Sequence, residues 1–357
     1  MTLNVKKTKV IIFNKNGRHI RRNFYFGNDK LETTRQYKYL GLVVTPSGEI
    51  STGLHDLKDR ALRAFIKMKT KLGITFRKLP LVTIKIFKAL VEPILLYASD
   101  FWGILKNPQN NPIENVFLSF CKQLLGVPKQ TTNIGVLLEL GQIPISILAK
   151  KNSVKNWLRI VTKTKCNDNV ISSYETAVLE KLTWATRTEN TLAEIGMTEE
   201  FMRNDKNTTP KAFQRMTDIF HQDALSDIQR SDSKLRTYSL LKTQLGFENY
   251  LSEIRNIEER TALTKLRLSS HHLMIEKGRH IGVESKFRFC PFCPNQVEDE
   301  KHFLMECKTY SILRKDFFDK VSKEIFVSPY CCKTQKFITF MSDLTICGLT
   351  AEYASKA

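Results

Sequence analysis

The feature that most constrains this chain lies near its end: Cys290-Pro-Phe-Cys293 is followed after eight residues by His302 and after four more by Cys307. Three thiols and one imidazole are the Cys3His set that closes a tetrahedral structural zinc site. The two-residue gap Pro291-Phe292 makes a tight knuckle that brings both sulfurs to one metal. Glu298-Asp299-Glu300 has the character of an acidic first helical turn, where carboxylates complement the helix dipole. That helix carries His302 and buries Phe303 and Leu304. Residues five apart on an ideal helix point about 140° away from each other, so the helix must end before Cys307. The spacing predicts one zinc ion on Cys290, Cys293, His302 and Cys307, against the alternative of four buried, unligated side chains.

Charge is the second constraint. The 357 residues carry a formal net charge of +20, which implies a polyanionic partner. Residues 1–106 hold 21 Lys and Arg against 7 Asp and Glu, so most of the surplus sits in the first third. No apolar run approaches the ~20 residues of a membrane span, and the start has no signal-peptide core. Eight cysteines, three of them in a zinc pattern, fit a reducing compartment and an intracellular protein of cytoplasm or nucleus. Cys121, Cys166, Cys331, Cys332 and Cys347 are then most simply free thiols.

The patterning predicts a mostly α protein with a small N-terminal antiparallel β segment. Val10-Ile-Ile-Phe13, Phe24-Tyr-Phe26 and the run Tyr37 to Val44 have strand character, with Gly27-Asn-Asp29 as a turn. From Ser51 the period becomes helical: Leu54, Leu57, Ala61, Phe65, Met68 and Leu72 share one face. Arg60, Arg63, Lys67 and Lys71 share the other, a basic stripe about 16 Å long. A second helix over roughly 82–98 contains Pro93, where a kink is expected. The third is punctuated by Asn111 as N-cap, Pro112, Glu114 and Gly126. Helices from about 133 to 140 and from about 144 to 161 follow. Residues 166–208 are polar and weakly periodic, consistent with loosely packed helices joined by a linker. Periodicity returns over 211–275, and Lys265 to His280 mixes basic and apolar residues ahead of the zinc pattern. One more amphipathic helix is expected over 310–325.

Two ends of the chain resemble one family. Asn4-Val-Lys-Lys7-Thr8-Lys9 before an apolar strand, then Tyr37-Lys-Tyr39-Leu40-Gly41, resemble the last palm segments of non-LTR (LINE-type, jockey-like) retrotransposon reverse transcriptases. Glu92-Pro-Ile-Leu-Leu-Tyr97 with Phe101-Trp102, and Glu139-Leu-Gly141 with Pro144, are similar to that family's thumb. The cysteine-histidine pattern is similar to the zinc knuckle that closes many such polyproteins. The resemblance implies a palm remnant at 1–50, a helical thumb-like domain at 51–165, a helical linker and further helices at 166–285, a knuckle at 286–312 and a helical tail at 313–357. It implies that the Tyr37–Gly41 strand belongs to a primer-holding hairpin, and that Lys7 or Lys9 sits near the leaving pyrophosphate. A solvated or phosphate-touching lysine is the plainer reading of either.

The family's chemistry needs carboxylates that hold two Mg2+ ions, and this chain contains no Asp-Asp pair. The expectation is therefore the nucleic-acid-binding C-terminal fragment of an RNA-directed DNA polymerase, inactive by itself, with Mg2+ used only by the full-length enzyme. The basic stripe either contacts RNA or DNA phosphates or is a solvated helix face. Tyr37 and Tyr39 either stack on bases or pack across strands. The other function class is a stand-alone zinc-containing binding or scaffold protein derived from a retroelement.

Overall fold

The computed structural model describes residues 4–14, 16–105, 111–162, 167–198, 207–230, 233–242, 245–328 and 330–357. Cys166 and residues 199–206 of the expected linker lie outside them. The chain is mostly helical with a small N-terminal sheet region. It divides into two compact units whose segments interleave. The first comprises Met1–Thr70, Phe87–Phe117 and Ile145–Met216; the second comprises Lys71–Ile86, Leu118–Pro144 and Thr217–Ala357.

In the first unit, β1 (Lys9–Val10) pairs in parallel with β3 (Asp29–Thr33), and β2 (Phe24–Phe26) pairs antiparallel with β3. Gly27, at a φ of 60°, opens the tight turn between β2 and β3. The run from Tyr37 to Val44 is two strands, not one: β4 (Tyr37–Tyr39) folds back on β5 (Leu42–Val44). Leu40 and Gly41 turn the chain with φ of 45° and 87°, both in the left-handed region that a tight hairpin requires. Leucine is a poor residue for that conformation, and its environment holds it there. The Leu40 carbonyl accepts from the Tyr97 hydroxyl, and the Gly41 carbonyl accepts from Arg60 Nη2 at 2.8 Å.

Helix α1 (Ser51–Leu72) buries the face read from the sequence, with Leu54, Leu57, Ala61, Phe65 and Met68 all nearly inaccessible. Phe65 meets Phe87 edge-on at 6.1 Å, and Phe87 meets Phe117 at 5.9 Å. Helix α2 (Pro80–Leu90) stops short of Pro93. The expected kink is thus a break: Pro93 enters a separate turn, Glu92–Leu95, near its N-terminus, where a missing N–H is harmless. Helix α3 (Pro112–Leu125) has its N-cap at Asn111, whose Oδ1 accepts from the Ile113 N–H at 3.0 Å. Gly126 ends it at a φ of 72°. Glu114 serves the next element instead of its own cap. Its carboxylate accepts from the N–H groups of Ile145 and Ser146, which open α5 (Ile145–Val161) after the short α4 (Asn133–Glu139).

Helix α5 packs on the turn Ser99–Trp102. Gly103 is needed there, because a Cβ would overlap the Ala149 carbonyl oxygen. Residues expected to be loosely packed form α6 (Asp168–Leu179) and α7 (Thr183–Glu194). Trp157, fully buried, gathers Val154, Leu192, Ile195, Met197, Ala212 and Met216 into a core. The polar sequence hid this core because its apolar members come from three separate segments, α5, the end of α7 and the helix that follows, α8 (Thr208–Gln229).

In the second unit, α9 (Ile257–Arg267) and α10 (Met274–His280) lead to the zinc-pattern segment, and α11 (Glu300–Met305) carries His302. Beyond it, α12 (Ser311–Glu324), α13 (Lys333–Ser342) and α14 (Cys347–Lys356) pack back, α14 lying along α9. Residues after 312 therefore contribute to a core: Phe317 makes edge-to-face and tilted ring contacts with Phe340 and Tyr353, and Tyr353 meets Phe303 edge-on, which in turn meets Tyr310.

Candidate metal centre and basic surface

The knuckle is built by a short hairpin. Phe289 bridges Val297, the Cys290 N–H donates to the Gln296 carbonyl at 2.7 Å, and the Gln296 N–H donates to the Cys293 carbonyl at 3.3 Å. Asn295, at a φ of 61°, turns the chain between them. Asp299 then caps α11, its carboxylate accepting from the His302 N–H at 2.7 Å. The helix ends at Met305, and the Cys307 N–H reaches back to the His302 carbonyl at 2.8 Å. This unwinding swings Cys307 onto the side of His302, as the spacing required.

All four side chains are buried, and one ligand atom from each lies within 4.8 Å of the others. The sulfur of Cys307 is 3.8 Å from that of Cys290 and 3.9 Å from that of Cys293. Tetrahedral Zn–S bonds of ~2.3 Å imply sulfur–sulfur separations of about 3.8 Å. Both ring nitrogens of His302 are buried without a hydrogen-bond partner among the described residues. Such orphaned buried groups are costly unless something binds them. Burial pushes the Cys290 thiol up to about 11, whereas the Lys308 N–H, 3.4 Å from its sulfur, holds the Cys293 thiol below its usual value. A coordinated cation deprotonates thiols outright. The donor set, the separations and the orphaned imidazole all fit zinc.

A buried charge cluster anchors this module. Glu300, only 1% exposed, accepts from Arg236 Nη2 at 2.9 Å to each carboxylate oxygen, from Thr237 Oγ1 at 2.9 Å and from Ser269 Oγ at 3.1 Å. His271 Nε2 lies 2.9 Å from the same carboxylate. Desolvation alone would raise the Glu300 pKa, but the His271 hydrogen bond and the Arg236 charge outweigh it and hold the carboxyl near 2. Glu300 is thus the acidic residue of α11's first turn, as the sequence predicts, and also a clasp onto Arg236, Thr237, Ser269 and His271. A second cluster lies elsewhere in the unit. Arg267, 1% exposed, donates to Glu139 at 2.8 Å, to Glu248 at 2.6 Å and to the Met341 carbonyl at 3.0 Å. Tyr250 adds a hydrogen bond to Glu139 at 2.6 Å. Burial alone would lower the Arg267 pKa, but Glu139 and its neighbours raise it overall. Neither cluster was read from the sequence, although a charge inside Leu138-Glu-Leu140 and Leu266-Arg-Leu268 was the available sign.

The basic residues divide into two kinds. Lys7 is exposed, in a turn capped by Asn4. Lys9 ion-pairs with its cross-strand neighbour Glu32 at 2.8 Å. Arg60 is not part of a free stripe: besides Gly41 it engages Asp56 at 3.1 Å and lies over the Tyr97 ring. Arg63, Lys67 and Lys71 are exposed along α1. Tyr39 is also exposed, and Tyr37 is half-buried. Among the described residues no helix is long and apolar enough to cross a membrane. No family model, no curated protein and no solved structure matches this chain.

Proposed function

We propose that this chain binds nucleic acid through the phosphate backbone, as the zinc-carrying C-terminal part of a non-LTR retrotransposon RNA-directed DNA polymerase. The observation that carries the reading is the convergence of Cys290, Cys293, His302 and Cys307 in a chain of net charge +20. Bound zinc closes the fold of the module and supplies no chemistry. Arg63, Lys67 and Lys71, exposed on one helix, are the contacts to phosphate. Binding, not nucleotidyl transfer, is the activity assigned, because no Asp-Asp pair is present to hold Mg2+. The internal pairing of Lys9 and Arg60 favours a second reading, a zinc-containing scaffold protein that does not depend on the α1 surface.

One experiment separates them. Replacing Arg63, Lys67 and Lys71 together with Gln should flatten the slope of log K against log salt on duplex DNA by ~2.7, about 0.9 per contact. Replacing the exposed Lys308, Lys315 and Lys323 should do less. Equal losses would make the binding diffuse charge attraction, and no binding by the wild type would remove the reading.

A further inference from the structure

The first unit presents an open strand edge. Its three-stranded sheet has the order β1–β3–β2, so β2 pairs on one side only, with β3. Phe26 and Asp29 flank the two-residue turn Gly27-Asn28. In such a hairpin the flanking pair exchanges its N–H and C=O groups, and the next pair, Tyr25 with Lys30, does not. Tyr25 therefore directs its N–H and C=O away from β3, and no backbone group among the described residues meets them. Phe24-Tyr-Phe26 carries none of the charge or Pro that blunts an exposed edge, and the Tyr25 ring is 60% exposed. The charge around this edge is mostly of one sign. Residues 18–35 hold five Arg and Lys against two acids, and one of the acids, Glu32, is taken by Lys9. Arg18, Arg21 and Arg22 are exposed on the approach to β2, and the exposed Lys30 lies opposite Tyr25. None of these four cations has an ion-pair partner among the described residues.

We propose that β2 accepts an acidic extended peptide as an added antiparallel strand, with Tyr25 supplying the backbone bonds and Arg21 and Arg22 holding the peptide's carboxylates. Main-chain bonds give such strand addition its affinity, and alternate side chains give it specificity. The antiparallel direction, the slightly stabler pairing, places the acidic residues at the C-terminal end of the peptide, alongside Arg21 and Arg22. It places a β-branched or aromatic residue beside the Tyr25 ring, a favourable cross-strand pair. Charge selects this occupant over a second copy of the chain, which would bring the same surplus of cations to the contact. The unpaired backbone of Tyr25 selects it over a polynucleotide, which can meet the arginines but has no peptide ladder to add.

The test uses the full chain and the anisotropy of a labelled peptide, Thr-Val-Thr-Val-Thr-Glu-Asp-Glu. The same composition in reverse order, with its acids at the N-terminal end, should bind more weakly. Tyr25→Pro removes the outward N–H and no bond to β3, a change that an edge strand tolerates. It should weaken binding by about 2- to 10-fold, the worth of one backbone bond, whereas Tyr25→Val keeps the N–H and should lose less. Arg21→Gln with Arg22→Gln should weaken binding by about 2- to 30-fold and remove most of its salt dependence. Lys315→Gln with Lys323→Gln, exposed in the second unit, should change it little. Hydrogen exchange on the wild type gives a readout that does not depend on any variant folding: saturating peptide should slow exchange of the Tyr25 amide. Unchanged Tyr25 exchange, no binding of the peptide, or equal binding of the reversed peptide would overturn the proposal. Equal protection of the Tyr25 amide by a dT12 oligonucleotide, or by raising the protein concentration alone, would overturn it in favour of a nucleic acid or a second copy.

Discussion

Arg267→Met removes the centre of the most buried charge cluster while keeping much of the side chain's volume. Three interactions go: those with Glu139 at 2.8 Å, Glu248 at 2.6 Å and the Met341 carbonyl at 3.0 Å. The three acceptors do not suffer equally. Glu248 keeps Lys242 at 2.5 Å and is 22% exposed, so water and a second cation compensate it. Glu139 is 0% exposed and keeps the Tyr250 hydroxyl and the neighbouring Tyr238, but no second cation among the described residues. Breaking a buried pair and leaving one charge behind costs about 3–5 kcal/mol, and the single variant should fall in that range. Glu139→Gln with Arg267→Met removes the stranded charge, so it should recover about 1–3 kcal/mol of the loss. Urea denaturation followed by far-ultraviolet circular dichroism, with zinc in excess, measures both. A loss below about 1 kcal/mol for Arg267→Met, or a double variant as unstable as the sum of the singles, would refute the assignment of the energy to an uncompensated charge.

Gly41→Ala should destabilise the β4–β5 hairpin by about 1–2 kcal/mol, since Gly41 has a φ of 87° and a Cβ would press on the Tyr97 hydroxyl at 3.2 Å; thermal denaturation with Gly48→Ala as comparison checks the second term, because Gly48 has positive φ but open space. The Glu300 clasp predicts a pH dependence. Its folded-state pKa is depressed from 4.5 to about 2, so the ionised carboxylate contributes about 3 kcal/mol of stability. That contribution is complete above the unfolded value and fades as pH falls towards 2. The stability gap between wild type and Glu300→Gln should therefore narrow from pH 5 to pH 2, with acid release of zinc common to both; a constant gap would contradict the clasp.

What the sequence made legible is local. The spacing of Cys290, Cys293, His302 and Cys307 marks a buried cluster that could hold a metal ion, because one short segment supplies all four side chains. Asn111, Pro112 and Gly126 bound a helix by rules that act within a turn. The buried face of α1 follows from its periodicity. What remained hidden depends on distant partners. Glu139 and Arg267 are 128 residues apart, and Arg236 and Glu300 are 64 apart, so no window of sequence displays either pair. The hairpin in Tyr37–Val44 looked like one strand because Leu40 is a strand former; Tyr97, 57 residues on, holds its carbonyl in a left-handed turn. Arg60 looked like a member of a surface stripe for the same reason, its partner Gly41 being outside the helix that sets the periodicity.

Zinc content is the measurement closest to the central claim. Protein purified without added metal and without chelator should contain one zinc per chain. Cys293→Ser should abolish it, because a three-ligand site open to water binds far more weakly, while Cys331→Ser, outside the ligand set, should leave it unchanged. Structural zinc of this type contributes about 10–16 kcal/mol of apparent binding energy to local folding, so the Cys293→Ser protein should also expose the knuckle to proteolysis. Equal zinc in wild type and Cys293→Ser would contradict the account.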